Sequence, residues 1–485
     1  MSKLETKSAL GRIEALVDEN SFVQIGGLIN ARNTDFNMQK KDTPADGVIT
    51  GYGLINGGLV YVYSQDASVL NGTIGEMHAK KIKKLYDMAV QMGAPVVGFI
   101  DCAGIRLQEA TDALNAFGEI YGKMSEASGV IPQITAVFGN CGGGLAILSE
   151  LSDFTFVADE GKLFVNAPNT LDGNIADKCD TASAAYQATV TGLADMTGTE
   201  AEVIDAVRTL VQMLPENSEC DFVYNEDVCT DDLNRVCEGI ENCTEDTLIA
   251  IGQIADNGMV AEIKGDYAKD MVTAFIRLNG STVGVVANRT KVYDADGKAE
   301  QVSDGALSSA GCIKAAEFVT FCDSFNIPVV TFTNVNGFKA TVDEEKTIAK
   351  AAAKLTYAFA SATVAKVNVV IGEAFGSAYS VMNAKATGCD IVYAWPTAHI
   401  GSMPASNAAR IIYDEELKNV EDKNAFLAEK TAEYESLQTS ALSAAKRGYV
   451  DSIIEPCDTR KYVIGALEML YAKREDKILK KHGTV

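Results

Sequence analysis

Short runs of β-branched and aromatic residues alternate along this chain with alanine-rich, helix-like stretches. VYVYS (Val60–Ser64) precedes GEMHAKKIKKLYDMAVQMG (Gly75–Gly93), which precedes PVVGFID (Pro95–Asp101); later, GCIKAAEFVTFCDSFN (Gly311–Asn326) precedes PVVTFTN (Pro328–Asn334). Short, wholly apolar runs predict buried strands, and their alternation with helices predicts an α/β arrangement with sheet and helices layered. Helix stops are written in the same places: Gly93 comes just before Pro95, and Asn326 just before Pro328, where proline cannot continue a helix.

The pattern occurs twice. VVGFIDCAG (Val96–Gly104) leads to GNCGGGLAI (Gly139–Ile147), and VVTFTNVNG (Val329–Gly337) leads to GEAFGSAYSV (Gly372–Val381). Asp101 and Asn334 lie 233 positions apart, and Gly143 and Ser377 lie 234 apart. The match extends outward: DENSFVQIGG (Asp18–Gly27) pairs with DNGMVAEIKG (Asp256–Gly265), and LINGGLVYVYSQD (Leu54–Asp66) with RLNGSTVGVVANR (Arg277–Arg289). So long a period means duplicated domains rather than a solenoid. The expected domains are residues 1–235 and 236–485. An acidic connector from Leu214 to Asp246 lies between them, and a charged helix is expected from Glu415 to Lys446.

Composition narrows the function classes. The 485 residues carry a formal charge of −24, which disfavours nucleic acid or an anionic membrane as principal partner. The uncharged run Ala127–Ser149 is broken by Pro132, Gln133, Asn140 and several glycines, so it reads as buried strand, turn and helix rather than a span. No apolar leader follows MSKLETK, and a soluble protein is expected. The 11 cysteines show no CxxC spacing and read as free thiols of a reducing cytoplasm.

Each strand runs into a glycine turn that opens a helix. Glycines let the backbone bend and bring a ligand against bare amides, and the helix start leaves those amides unpaired at a positive dipole end. In acyl chemistry two such donors stabilise an oxyanion; deleting one raises the barrier by about 3–4 kcal/mol. The candidate donors are Gly143 and Gly144 in the first turn, and Ser377 and Ala378, after Gly376, in the second. The competing reading is close packing of strand on helix. His78, His399 and His482 are the only histidines, and none stands near a GxSxG elbow or a cysteine partner. A hydrolytic triad is therefore not expected, and a substrate or cofactor must supply the base.

These motifs resemble, end to end, the carboxyltransferase subunits of biotin-dependent acyl-CoA carboxylases and related decarboxylases, the propionyl-CoA carboxylase β type in particular. GRIEALVDENSFVQIG, DGVITGYGLING, DCAGIRLQE, GNCGGGLAILSELSDFTFV, YAWPTAHIGSM, AAKRGYVDSIIEP and KKHG all have counterparts, in order. The resemblance implies a duplicated crotonase (ClpP/crotonase-like) fold, two ββα-superhelix domains in a dimer-based homo-oligomer that can reach a hexamer. It assigns the first domain to acyl-CoA, with Gly143 and Gly144 on the thioester and Gly142 and Arg106 in binding. The second domain goes to biotin, with Ser377 and Ala378 on the ureido oxygen and Gly376, Phe375 and Tyr379 around it. For Arg106 and Gln108 an ion pair or interdomain hydrogen bond competes with ligand contact. Ser380 falls where family members differ with acyl-chain preference.

The same resemblance implies that carboxybiotin releases carbon dioxide, the ureido anion takes the substrate α-proton, and the enolate attacks carbon dioxide. Biotin would sit on a separate carrier protein, coenzyme A would enter as a thioester, and no metal is expected. A biotin carboxylase subunit or a membrane decarboxylase subunit would complete the system, in opposite net directions. The location would be cytoplasmic, at the inner membrane face if the partner is a decarboxylase pump. Two departures stand out: DVPGFLPG is here NVNGFKAT (Asn334–Thr341), and the glutamate of WPTAEI is His399. The choice of partner keeps open a second reading, the α subunit of a sodium-pumping decarboxylase; the altered NVNGFKAT loop keeps open a third, a non-catalytic assembly scaffold, against which the intact GNCGGG turn speaks.

Overall fold

The apolar runs become the centres of two sheets in the computed structural model, which describes residues 8–33, 36, 41–174, 179–220, 229–294, 296–475 and 477. In the first sheet β1 (Val23–Ile25), β2 (Val48–Ile55) and β3 (Gly58–Gln65) are antiparallel. Next to β3, strands β4 (Val96–Cys102), β5 (Gln133–Gly142), β6 (Phe154–Ala158) and β8 (Met196–Gly198) run parallel, while β7 (Lys162–Phe164) pairs with the end of β5. The second sheet repeats this plan. Strands β9 (Val260–Ile263), β10 (Met271–Leu278) and β11 (Ser281–Asn288) are antiparallel, then β15 (Val329–Val335), β17 (Lys366–Phe375), β18 (Ile391–Ala394) and β20 (Ser452–Ile453) run parallel, with β19 (His399–Gly401) on the end of β17. Two short ribbons complete it, β12 (Lys291–Tyr293) with β13 (Ala299–Gln301) and β14 (Ala306–Leu307) with β16 (Gly337–Phe338). The chain divides into two compact units, Met1–Asp221 and Phe222–Val485.

Strand composition follows from this plan. Parallel strands covered on both faces need apolar residues at every position, and Val96, Val97, Phe99 and Ile100 are each at most 1% exposed. Burying one such side chain is worth about 1.5–3 kcal/mol. In each unit a helix pair covers the sheet: Glu76–Met92 with Ala110–Ala127, and Ser309–Ser324 with Ile348–Ser361.

The duplication holds at the level of individual contacts, at an offset of 233 for the bulges and the glycines that face them and of 223 for the side chains of Gln65 and Asn288. Register shifts in β4–β5 between Ile100 and Cys102, and in β15–β17 between Thr333 and Val335. The residues at these two bulges are Asp101 and Asn334. A Cβ on Gly139 would lie 1.9 Å from the Asp101 carboxylate, and one on Gly372 would lie 2.6 Å from the Asn334 side chain, so both positions must be glycine. The Asp101 amide donates to the Gln65 side chain (3.3 Å) and the Asn334 amide to the Asn288 side chain (3.2 Å). Asparagine in the altered NVNGFKAT segment thus keeps the shape that an acid has in the first unit.

The segment expected to form one charged helix from Glu415 to Lys446 is broken instead. It runs as Asp414–Leu417, Lys423–Tyr434, a wide turn at Glu435–Thr439 and Ala441–Lys446. The break follows from Asp422, whose carboxylate caps the amides of Asn424 and Ala425 and restarts the helix.

Candidate active site

In the first unit β5 runs into the turn at Gly142–Gly144. Gly143 has φ 63° and ψ −123° and starts the helix Gly144–Glu150; an L side chain is strained at these angles, which explains its identity. The Gly143 amide donates to the Phe164 carbonyl at 2.9 Å. This corrects the assignment of that amide as an oxyanion donor: β5 keeps pairing with β7 one residue further than the strand pattern implies. Free of acceptors among the described residues are the amides of Gly144 and Leu145, the first two helical residues. The turn borders a cavity of about 710 Å³, with Cys102–Ile105 on one side and Leu114, Phe117, Gly118 and Tyr121 on another. None of its lining residues is charged.

In the second unit β17 runs into Gly376, with φ 64°. Gly143 and Gly376 are therefore the equivalent pair, 233 apart, and the earlier match of Gly143 with Ser377 is one residue out of register. With that correction, Ser377 and Ala378 are the counterparts of Gly144 and Leu145. Both sit in the first turn of the helix Gly376–Val381, where amides lack intrahelical acceptors. A second cavity, of about 610 Å³, is lined by Gly376, Ser377, Tyr379 and Ser380. Tyr434 and Gln438 close it from the broken helical segment, and Arg447 and Tyr449 from the turn that follows. Arg447 donates to Ser443, to the Gln438 side chain and to the carbonyls of Leu437 and Gln438, and no carboxylate among the described residues pairs with it. The Tyr379 hydroxyl is buried and has no hydrogen-bond partner among the described residues, and burial holds its pKa above the usual phenol value.

Several expected site residues lie elsewhere. Arg106 is no ligand contact: its side chain is 0% exposed, and its guanidinium bridges Asp46 (2.5 Å) and Glu109 (2.9 Å) while donating to the Thr73 carbonyl (2.7 Å). A cation so desolvated belongs with its buried carboxylates. His78 is also fully buried, and burial pushes its pKa down to about 3. As a neutral ring it donates from Nδ1 to the Asp46 carbonyl (2.9 Å) and accepts at Nε2 from the Gln65 amide (3.3 Å). Phe375 is 4% exposed and Ala378 1%; neither side chain lines the second cavity, so Ala378 can face it only with its backbone amide. His399 pairs with Glu435 (3.1 Å) and stands opposite Glu373 in the β17–β19 register, beside that cavity. His482 and KKHG lie outside the described residues.

Sequence patterns missed Leu114, Phe117, Gly118 and Tyr121. Their spacing on one helix face was visible, but the face reads as core. Tyr434 and Gln438 had no signal, because their segment reads as a solvated helix, and Tyr449 had none because it falls in the short strand-like run that follows. Among the described residues no cluster of His, Cys, Asp or Glu could hold a metal, and no helix is long and apolar enough to cross a membrane.

Known proteins share this whole arrangement. Residues 5–485 match the model of the carboxyl transferase domain. The methylmalonyl-CoA decarboxylase subunit alpha of Propionigenium modestum is 37% identical over 100% of this chain and 95% of its own. The propionyl-CoA carboxylase beta chain of Roseobacter denitrificans is 38% identical over 99% of this chain and 93% of its own. The crystal structure of transcarboxylase 12S, a hexamer described with hydrolysed methylmalonyl-coenzyme A bound, superposes with a TM-score of 0.90 at 34% identity, covering 98% of this chain and 92% of that one. A repeated α/β unit, two glycine turns on cavities and end-to-end identity agree: this chain belongs to the carboxyl transferase domain family, with its crotonase-like fold.

Proposed function

We propose that this chain is the carboxyltransferase component of a biotin-dependent acyl-CoA carboxylase. It would move a carboxyl group between a biotin carried on a separate carrier protein and a short acyl-CoA, acetyl- or propionyl-CoA. The observation that carries this reading is the pair of left-handed glycine turns, each ending a central strand and each presenting unpaired amides beside a cavity. Such amides are aimed donors for charge that develops on an oxygen, and they need no reorganisation when it does.

In the first turn the amides of Gly144 and Leu145 would hold the thioester oxygen as the α-carbon gives up its proton, with Gly142 and Gly143 shaping the approach. In the second, Ser377 and Ala378 would hold the ureido oxygen of biotin. The residues present fit that group: two amides and the Tyr379 hydroxyl without partners among the described residues, the hydroxyl able to bond a polar ring atom, and an opening that Gly376 leaves clear. Biotin, when bound, supplies the carboxyl carrier and the base, so the cavity walls need no catalytic acid or base. Ser380 lines this second cavity, and in this reading its influence on substrate choice would act from that end. The partners in this reading are a biotin carboxyl carrier protein and a biotin carboxylase subunit, with the chain in a dimer-based homo-oligomer.

The test uses the purified protein with malonyl-CoA or methylmalonyl-CoA and free biotin, following carbon dioxide release. Biotin-dependent decarboxylation is expected. Absence of biotin-dependent turnover with any short acyl-CoA would reject the reading.

A further inference from the structure

The Tyr121 hydroxyl donates to the Gly144 carbonyl at 2.6 Å. Tyr121 lies on the helix Ala110–Ala127, and with Phe117 it forms one wall of the first cavity. The two rings pack with centroids 6.0 Å apart. Together they press on the turn: a Cβ on Gly144 would come within 2.7 Å of the Tyr121 hydroxyl and 3.2 Å of the Phe117 ring. The other side of the turn is held by the Gly143 amide on the Phe164 carbonyl, at 2.9 Å. Gly142–Gly144 is thus pinned from both sides, by a strand on one and a tyrosine on the other.

Three consecutive glycines have the largest conformational freedom a tripeptide can have. Without restraints their amides would sample many directions, and an oxyanion donor works only when it is already aimed. Among the described residues the second turn has no such strut. Along this helix the units are offset by 235, as Glu109 and Glu344 show, so the counterpart of Tyr121 is Thr356, whose hydroxyl donates to the Ala352 carbonyl at 2.8 Å instead. There the residues after Gly376 are Ser377 and Ala378, whose side chains restrict the backbone themselves.

We infer that Tyr121 is a positioning residue for the acyl-CoA turn: its hydroxyl fixes the Gly144 peptide so that the Gly144 and Leu145 amides meet the developing enolate oxygen. A hydrogen bond on the Gly144 carbonyl also polarises that peptide and strengthens the Leu145 amide as a donor. The inference rests on the carboxyltransferase reading, and the experiment separates the two.

Wild type and Tyr121→Phe are compared in biotin-dependent decarboxylation of methylmalonyl-CoA. Binding of propionyl-CoA, and of a coenzyme A analogue ending in a nitroalkane whose nitronate mimics the enolate, is measured beside it. The variant should lose about tenfold in kcat, less than deletion of a whole donor, with KM within about twofold. Nitronate affinity should fall by the same factor as kcat, while propionyl-CoA affinity and Tm stay unchanged. A variant with wild-type kcat overturns the inference. So does one that loses both ligands equally along with its Tm, since that marks a purely structural hydroxyl. Wild-type protein without turnover sinks the function itself and this inference with it.

Discussion

The two units have the same strand order, the same bulge and the same left-handed glycine, yet they hold the turn beside the bulge in different ways. In the first, the Glu109 carboxylate accepts from the Glu76 amide at the start of one helix (2.6 Å); in the second, Glu344 does the same for Ser309 (2.8 Å). Arg106 and Lys339, 233 apart, sit in equivalent backbone positions, their amides donating to the carbonyls of Ile74 and Leu307 at 2.9 Å each. Arg106 is buried between two carboxylates, whereas Lys339 is exposed and without a side-chain partner among the described residues. Position in a fold therefore does not dictate role. The backbone frame was kept, while the side chains on it were free to become structural in one copy and solvent-facing in the other.

The sharpest way to break that contrast is to remove both cations. Arg106→Met leaves Asp46 and Glu109 buried without their partner and should cost about 3–5 kcal/mol of unit stability. Lys339→Met should stay within about 0.5 kcal/mol, as surface substitutions do. Denaturant midpoints for the two variants check this, and a loss below about 1 kcal/mol for Arg106→Met would show that the buried cluster is not held by its arginine.

Next in size are the turns themselves. A Cβ on Gly143 meets nothing within 4 Å, so Gly143→Val acts through backbone strain of about 1–3 kcal/mol rather than through a clash. It should lower biotin-dependent decarboxylation by about 100-fold or more in a protein that still folds. Gly376→Val carries the same strain in the second unit, and there the expected sign is a raised KM for free biotin with propionyl-CoA affinity intact. If both variants weaken the same ligand, the two copies have not divided the work.

Much of this was legible in the sequence because it rests on local chemistry. Buried parallel strands must be apolar, prolines must end helices, and a bulge packed on bare backbone must face glycine, so Gly139 and Gly372 stood out with their strands. What stayed hidden depends on where an amide or a guanidinium points. The Gly143 amide is tied up by Phe164, a partner set by a β7 pairing that strand patterns do not encode. Arg106 lies beside a motif that looks like a ligand contact, but its partners Asp46 and Glu109 are brought to it by tertiary packing. The break at Asp422 was visible only as one more acidic residue in a charged stretch.

A smaller effect separates two equivalent lysines. Lys81 donates to the carbonyls of Ala45 and Val48, and Lys314 to those of Lys264, Tyr267 and Met271. Burial pushes Lys81 down to about 8 and Lys314 down to about 7, against about 10.4 in an unfolded chain. Between those limits the unfolded chain binds more protons, so each lysine makes stability rise with pH, by at most about 1.4 kcal/mol per pH unit. That contribution is complete above about 10.4 and is lost as pH falls through the folded value. Lys314→Met should remove the slope from about pH 7 upward, and Lys81→Met only the part above about 8. Equal onsets in pH-dependent denaturant titrations would erase the distinction.

The smallest expected change concerns the two tyrosines at the turns. Tyr121 has its hydrogen bond within the protein, while the Tyr379 hydroxyl is buried without one among the described residues. An unsatisfied buried hydroxyl costs about 1–3 kcal/mol, so removing it relieves a penalty that only a ligand otherwise relieves. Tyr379→Phe should therefore leave the ligand-free protein unchanged or stabilise it by up to about 1 kcal/mol, whereas its affinity for free biotin should fall. Tyr121→Phe should leave stability alone and act on turnover. Thermal melts and biotin titration of the Tyr379 variant decide the matter: a clear loss of stability, or biotin affinity equal to wild type, would mean that this hydroxyl bonds inside the fold and that the second cavity recognises its ligand through the turn amides alone.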